Sequence, residues 1–129
     1  MKADKMRILV IEDNEQNMYL MHFLIQSSGH EVIEAGEGIV GIEKAKSDKP
    51  DIILLDIQLP GMDGYEIAKR IRATSGLESI PIIAVTSYAM AGDREKILAA
   101  GATDYIEKPI NPATFIDQIA IYFPKQEVP

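Results

Sequence analysis

The stretch DIILLDIQLPGMDG, residues 51–64, joins a strand that should be buried to a carboxylate at its end. Four aliphatic residues, 52–55, are followed directly by Asp56 and then by LPGMDG, which is typical of a loop. A carboxylate is costly to bury unless partners offset its charge. We therefore expect Asp56 to stand at the rim of a sheet, where other charged groups stabilise it.

The same alternation of short apolar runs and amphipathic segments extends outward from this stretch. Predicted strands lie at residues 7–12, 30–35, 51–56, 80–86 and 103–109, and predicted helices at residues 14–29, 37–48, 63–76, 91–102 and 111–123. Strands 1, 3 and 4 are near-continuous aliphatic runs, as in parallel sheets covered on both faces. The pattern predicts an α/β fold with an open, doubly wound sheet. We expect one domain over residues 1–129, with a core at about 7–123 and a tail at 124–129.

Several residues predict how the helices begin, end and pack. On the first helix, one apolar side is predicted to comprise Met18, Met21, Phe23, Leu24 and Ile25. Asp63 is a candidate N-cap of the third helix, and Gly76 is expected to close it. The fifth helix should begin with Asn111 as N-cap and Pro112 at its first position.

Composition narrows the classes of function. The 129-residue chain has 13 Lys+Arg against 20 Asp+Glu, a net charge of -7, which argues against a nucleic-acid partner. It has no cysteine, which excludes disulfides and thiolate metal sites. No apolar stretch is long enough to insert in a membrane, and the N-terminal apolar run lacks a signal-peptide cleavage site. We therefore expect a cytoplasmic chain.

Polar residues follow the predicted strands at the edge where parallel sheets bind ligands. Glu12 and Asp13 follow strand 1, Asp56 ends strand 3, Thr86 ends strand 4 and Lys108 ends strand 5. Three clustered carboxylates repel one another unless protons or a cation relieve the repulsion, and carboxylates suit Mg²⁺ (or Mn²⁺). A phosphoryl group could then bind Thr86 and Lys108, with Asp56 as its nucleophile.

Four motifs in this order resemble the receiver domains of two-component response regulators: VIEDN (10–14), LLDIQLPGMDG (54–64), VTSYA (85–89) and YIEKPI (105–110). The resemblance runs from about residue 7 to 123. It is strongest to single-domain regulators of the DivK type and to receivers of hybrid histidine kinases. It implies a flavodoxin/CheY-like sheet with strand order 2-1-3-4-5 and five helices on both faces.

The resemblance also implies roles at the rim. Asp56 would be the phosphoacceptor, taking its phosphoryl group from a phosphohistidine of a sensor histidine kinase or a histidine phosphotransfer protein. Asp13, Asp56 and the backbone carbonyl of Gln58 would bind Mg²⁺ directly, and Glu12 through a water. Lys108 would bridge to the phosphoryl group.

Further implied roles concern the output of the switch. Thr86 would move toward the phosphoryl group while Tyr105 turns inward, and Pro109 would follow a cis bond. The surface of helix 4, strand 5 and helix 5 would then bind a downstream protein target, and the chain would be a monomer or a weak, phosphorylation-linked dimer. The lifetime of the phosphorylated state would depend on Gln58 and Tyr88.

Taken singly, these residues also have structural interpretations. Asp56 could be a turn acid, Glu12 and Asp13 could begin a helix, Thr86 suits a strand, and Lys108 or Tyr105 could be surface residues. Three other functions stay open. An Mg²⁺-dependent aspartate phosphatase would normally carry a second acid where Gln58 stands; a phosphorylation-independent interaction module would have lost site residues; and a nucleotide binder would have a glycine-rich loop. We expect a switch that catalyses its own phosphorylation and slow hydrolysis, not a turnover enzyme.

Overall fold

A computed structural model describes residues 5–87 and 91–124 of the chain. Within these residues, five strands and five helices alternate, as the sequence predicted. The strands are β1 (Arg7–Ile11), β2 (Glu31–Ala35), β3 (Ile52–Asp56), β4 (Ile82–Thr86) and β5 (Asp104–Glu107). The helices are α1 (Glu15–Ser27), α2 (Gly38–Asp48), α3 (Gly64–Arg72), α4 (Ala91–Ala99) and α5 (Phe115–Ala120).

The five strands form one parallel sheet in the order β2-β1-β3-β4-β5, which confirms the predicted fold class and strand order. β1 lies inside the sheet, next to the edge strand β2. After β2 the chain returns to the other side of β1 and continues through β3 and β4 to the opposite edge at β5. The order therefore reverses between β1 and β3, and a crevice opens beyond the carboxyl ends of these two strands.

Each face of the sheet has its own apolar cluster. One cluster joins the sheet to α2, α3 and α4, with Ile67 and Ile97 among its buried members. The other joins the sheet to α1 and α5 through residues such as Met21 and Phe115. Because both faces are covered, every residue of β3 and β4 is buried, which explains the aliphatic runs in the sequence.

The predicted apolar side of α1 is wrong at Phe23. Met21 and Ile25 are buried, but Phe23 is 54% exposed and stacks on Tyr19 with a ring-centroid distance of 6.5 Å. An α-helix turns by about 100° per residue, so a side chain two positions after Met21 points away from the sheet.

Two helix ends also differ from the prediction. The third helix ends at Arg72, four residues before Gly76, because the backbone tightens there: the Thr74 amide donates to the Ile71 carbonyl, three residues earlier, at 3.0 Å. The fifth helix begins at Phe115. Asn111 instead forms a preceding turn, in which its side chain accepts a hydrogen bond from the Ala113 amide at 3.0 Å. Asp63 is the N-cap of α3, as predicted, and accepts from the Glu66 amide.

The Arg72 guanidinium ties the end of α3 to the connections around β4 and β5. It donates to the carbonyls of Gly101 at 2.8 Å and Ile80 at 2.5 Å, and at 3.3 Å to the Leu77 carbonyl and the Thr103 hydroxyl. These bonds fix the loops that position α4 and β5 at the far side of the sheet.

The single-domain organisation of the chain stays a prediction. Of the predicted tail, residues 125–129 lie outside the described residues, as do residues 1–4 and Tyr88. Among the helices of the described residues, none is both long and apolar enough to cross a membrane.

His30 connects the start of β1 to the end of the described chain. Its Nδ1 accepts a hydrogen bond from the Met6 amide at 3.0 Å, and its ring packs edge-on against Phe123 at 5.0 Å. Burial lowers the pKa of His30 from its usual 6.5. The folded state therefore favours the neutral ring, which the accepted hydrogen bond also requires.

We expect the free energy of unfolding to fall as the pH drops below about 6.5, because the unfolded chain then binds a proton at His30 more readily than the folded chain. His30→Asn keeps an acceptor near the position of Nδ1 but cannot titrate. Urea unfolding at a series of pH values should show a smaller loss of stability at low pH in this variant. Equal pH dependence of the two proteins would contradict the assignment.

Candidate functional site

The strand ends bring the predicted side chains to one edge of the sheet. Glu12 and Asp13 follow β1, Asp56 is the last residue of β3, Thr86 is the last residue of β4, and Lys108 follows β5. The strands are parallel, so their carboxyl ends share an edge, and the crevice beside β1 and β3 opens there.

Three carboxylates converge at this edge. One oxygen from each of Glu12, Asp13 and Asp56 lies within 4.8 Å of the other two. Glu12 and Asp56 are only 2% and 3% exposed, whereas Asp13 is exposed. Two carboxylates of the cluster are therefore buried and lack hydration by water, whereas the third is exposed to solvent.

Lys108 is the cation of this site. Its ammonium lies 3.3 Å from Oε1 of Glu12 and 3.4 Å from Oδ2 of Asp56, and its side chain is mostly buried. Among the described residues, no other cation forms an ion pair with the three acids. One positive charge facing three carboxyl groups leaves an excess of negative charge.

Glu12 responds to this excess. Burial raises its pKa to about 7, and the neighbouring Asp56 contributes through a hydrogen bond and its charge. The Asn14 amide, which donates to Oε2 of Glu12 at 3.2 Å, and the charge of Lys108 act in the opposite direction. At neutral pH and without a bound cation, a proton therefore relieves part of the repulsion.

Backbone and side-chain bonds of Gln58 fix the loop after β3. The backbone amide of Gln58 donates to Oδ1 of Asp56 at 2.9 Å, and this bond orients the Asp56 carboxylate. The side-chain Oε1 of Gln58 accepts from the Ser87 amide at 3.2 Å, so that the loops after β3 and β4 are bridged next to the site. The sequence did not predict this bridge, because nothing local to either loop indicates which residue of the other it meets.

The approach of α3 to β3 was also missed by sequence reasoning, which treated GMDG only as a turn. A Cβ on Gly64 would lie 2.5 Å from the Ile57 Cα and 2.9 Å from the Asp56 carbonyl oxygen. Only glycine therefore lets α3 begin this close to the end of β3. A glycine at the first position of the helix, directly after the N-cap Asp63, was the available signal.

Thr86, Tyr105 and Pro109 lie where the sequence placed them. Thr86 is fully buried at the end of β4, and Tyr105 is half-buried in β5. The Lys108–Pro109 peptide bond is cis. The Tyr105 ring lies under the Arg94 guanidinium of α4, 5.1 Å from the guanidinium carbon to the ring centroid.

The cavity over the carboxylates has a volume of about 770 Å³ and is lined by Glu12, Asp13, Asp56, Gln58 and Lys108 together with the first residues of α1. A second cavity, of about 490 Å³, lies at the opposite edge of the sheet. Its acid, Asp51, already accepts a hydrogen bond from the Arg7 amide at 2.8 Å and serves the fold. The chemistry is therefore concentrated at the carboxyl edge.

The donor set fits a hard divalent cation. Oxygen atoms of carboxylates are the ligands that Mg²⁺ prefers, and one ligand, Asp13, is accessible from solvent. Oε1 of Glu12 is buried and has no partner with hydrogen-bond geometry among the described residues. A cation beside this oxygen would compensate for the missing hydrogen bond and for the surplus negative charge.

Comparisons with known proteins agree on one family. The family model of the response regulator receiver domain matches residues 8–120. The polar-differentiation response regulator DivK of Brucella anthropi is 44% identical over 115 residues, which cover 89% of this chain and 94% of the relative.

Solved structures show the same similarity. The receiver domain of the sensor histidine kinase PA1611 from Pseudomonas aeruginosa, solved with a magnesium ion in its active-site cleft, is 35% identical, with a TM-score of 0.85 over 92% of this chain and 98% of that one. The chemotaxis response regulator CheY4 of Vibrio cholerae is 27% identical, with a TM-score of 0.89 over 93% of this chain and all of that one.

We expect Asp56→Asn to raise the free energy of unfolding in the presence of a chelator by about 1 kcal/mol, because it removes one of the acids that share Lys108. With Mg²⁺ at a hundredfold excess over Kd, the native chain should gain about 2.7 kcal/mol and the variant much less, which reverses their order. Urea unfolding measures both values.

Glu43→Gln is the matched control, since Glu43 is an exposed acid of α2 that neither belongs to the cluster nor lines its cavity. Its stability should change little under either condition. Equal stabilisation of all three proteins by Mg²⁺ would contradict a cation site at Asp56.

Proposed function

The chain belongs to the family of response regulator receiver domains, and on that premise we propose that Asp56 is its phosphoacceptor. The family membership confirms the resemblance seen in the sequence motifs. The observation that carries the proposal is the buried Asp56 carboxylate, paired with Lys108 beside two further acids. A buried acid with this environment is a candidate nucleophile.

Mg²⁺ (or Mn²⁺) would bind to Asp13, Asp56 and the backbone carbonyl of Gln58, and to Glu12 through a water. When bound, the metal supplies positive charge against the phosphoryl oxygens and the clustered carboxylates. The convergence of three carboxylates supports this ligand set.

The chemistry of the chain's own residues is a transfer between two nucleophiles. A carboxylate oxygen of Asp56 forms a bond to phosphorus while the bond from phosphorus to the imidazole nitrogen of the donor breaks. The electron pair of that bond stays on the imidazole, which takes a proton from solvent. The Gln58 amide keeps the Asp56 carboxylate oriented throughout.

Lys108 and Thr86 would bind the transferred group. The Lys108 ammonium, 3.4 Å from Asp56, can pair with a phosphoryl oxygen, and the Thr86 hydroxyl can donate to another. Movement of Thr86 toward the phosphoryl group would accompany an inward turn of Tyr105. We call the surface formed by α4, β5 and α5 the output surface. The movement of Thr86 and Tyr105 would change the shape of this surface.

The partners follow from this chemistry. The donor would be the phosphohistidine of a sensor histidine kinase or of a histidine phosphotransfer protein, and a downstream protein would bind the output surface. We place the switch in the cytoplasm, as a monomer or a weak dimer linked to phosphorylation. It would hydrolyse its own phosphoryl group slowly, when water attacks phosphorus and the Asp56 carboxylate leaves, and would not turn over small esters.

Incubation with acetyl phosphate tests the proposal. The intact mass of the native chain should rise by one phosphoryl group, and only when Mg²⁺ is present. Asp56→Asn should show no adduct, whereas Glu43→Gln, an exposed acid outside the site, should behave as the native chain does.

The contrary outcomes have separate meanings. No adduct with this donor or with a phosphohistidine donor, in a folded and metal-bound chain, would leave a phosphorylation-independent interaction module as the function. Steady release of phosphate from small esters would favour an aspartate phosphatase.

We expect Gln58→Ala to shorten the half-life of the phosphorylated state by about two- to tenfold, because removal of the long side chain that reaches the Ser87 loop opens the site to water. Gln58→Met fills the same space without the hydrogen-bond acceptor and should keep most of the lifetime, because the bulk of the side chain excludes water. The decay of the mass adduct after removal of acetyl phosphate measures both. An unchanged half-life in Gln58→Ala would contradict this role of the side chain.

A further inference from the structure

Two cations of α4 lie over tyrosine rings of the neighbouring elements. The Arg94 guanidinium carbon is 5.1 Å from the ring centroid of Tyr105 in β5, and the Lys96 ammonium is 4.5 Å from that of Tyr65 in α3. Both distances lie within the range of cation–π attraction. The contacts therefore tie α4 to an element on each side.

These contacts matter because little else anchors α4. Of its side chains that the structure describes, only Ile97 is fully buried. By comparison, α3 buries Ile67, Ala68 and Ile71. Since helices in proteins are stabilised mainly by the packing of an apolar face, a helix with one buried side chain is easily displaced.

Arg94 itself is exposed, and no acid of the described residues forms an ion pair with it. Its contact with the Tyr105 ring is thus the interaction that distinguishes it from an ordinary surface arginine. An attraction of this kind at an exposed site is small compared with the stability of a domain but is large enough to bias two conformations of nearly equal free energy.

The register of β4 and β5 places the Tyr105 ring on the same face of the sheet as Thr86. Tyr105 pairs with Ala84 and Glu107 pairs with Thr86 across β4 and β5. Side chains alternate along a strand, so Ala84, Thr86 and Tyr105 share the face that α4 covers. Ala84 is the cross-strand partner of Tyr105, and its small side chain obstructs an inward turn of the ring toward Thr86 less than a larger residue would. Such a turn would change the contact of the ring with Arg94.

We propose that Arg94 is a positioning residue that holds Tyr105 in its half-buried position and so biases the chain toward its unphosphorylated conformation. This inference rests on the proposed function, because it assigns a regulator to the Thr86–Tyr105 pair. Loss of the guanidinium would raise the population of the conformation that binds a phosphoryl group.

Beryllofluoride, a tetrahedral mimic of a carboxylate-bound phosphoryl group, is the probe. Its apparent Kd in saturating Mg²⁺ can be measured by NMR titration of the full chain. Arg94→Gln should bind about two- to fivefold more tightly than the native chain, as expected for loss of an exposed cation–π contact. The sign is diagnostic, because removal of a positive charge would by itself weaken the binding of an anion.

Lys96→Gln is the matched control, since it removes the same charge from α4 and a contact to a ring outside β5. It should not tighten binding. Tyr105→Leu provides the second test: in this background, Arg94→Gln should no longer tighten binding, because the ring on which it acts is absent.

Unchanged or weaker binding by Arg94→Gln would overturn the role of Arg94. Equal tightening by Lys96→Gln, or tightening by Arg94→Gln that persists in Tyr105→Leu, would also overturn it. Absence of beryllofluoride binding by the native chain would overturn the proposed function and this role with it. The two failures are distinguishable, because the first leaves native binding intact.

Discussion

The burial of the Asp56 carboxylate at the end of an apolar strand is the constraint on which the rest of the site depends. A charge that is 3% exposed must be offset by its surroundings. The Gln58 amide and the Lys108 ammonium supply part of that compensation. Glu12 and Asp13 work against it and create a surplus of negative charge that a divalent cation can relieve. The arrangement that makes the buried carboxylates costly is thus one that a bound divalent cation would stabilise.

The sheet makes this arrangement possible because the strands that carry Asp56 and Thr86 are tightly packed. Both β3 and β4 are buried along their whole length, between two apolar clusters. Close packing of this kind fixes the backbone to which Asp56 and Thr86 are attached. Gly64 allows α3 to begin against the end of β3, and the bridge from Gln58 to Ser87 joins the two loops. Positions in the site are thus set by the fold, and not by flexible side chains.

The opposite holds for α4. Among the side chains of α4 that the structure describes, one is buried and two form cation–π contacts, which are weak anchors in comparison with the packing of α3. Regions that change conformation in a switch need low local stability, because the free energy available from one phosphoryl group is limited. A rigid site next to a loosely held helix is therefore a physically consistent design for converting a local change of charge into a change of surface. Arg72 fixes the loop that follows α4 and joins it to the loop between α3 and β4.

The sequence by itself determined the alternation of strands and helices, the parallel sheet and the identity of the rim residues. It did so because aliphatic runs, caps and strand ends are local signals, and because parallel strands necessarily share one edge for their carboxyl ends. It failed at Phe23, at Gly76 and at Asn111, where one residue of a helical pattern or one turn hydrogen bond decides the outcome. Only the tertiary structure decided how deeply Glu12 and Asp56 are buried, which loops Gln58 and Arg72 join, and that Arg94 lies over Tyr105. These are contacts between residues far apart along the chain, and no local pattern specifies them.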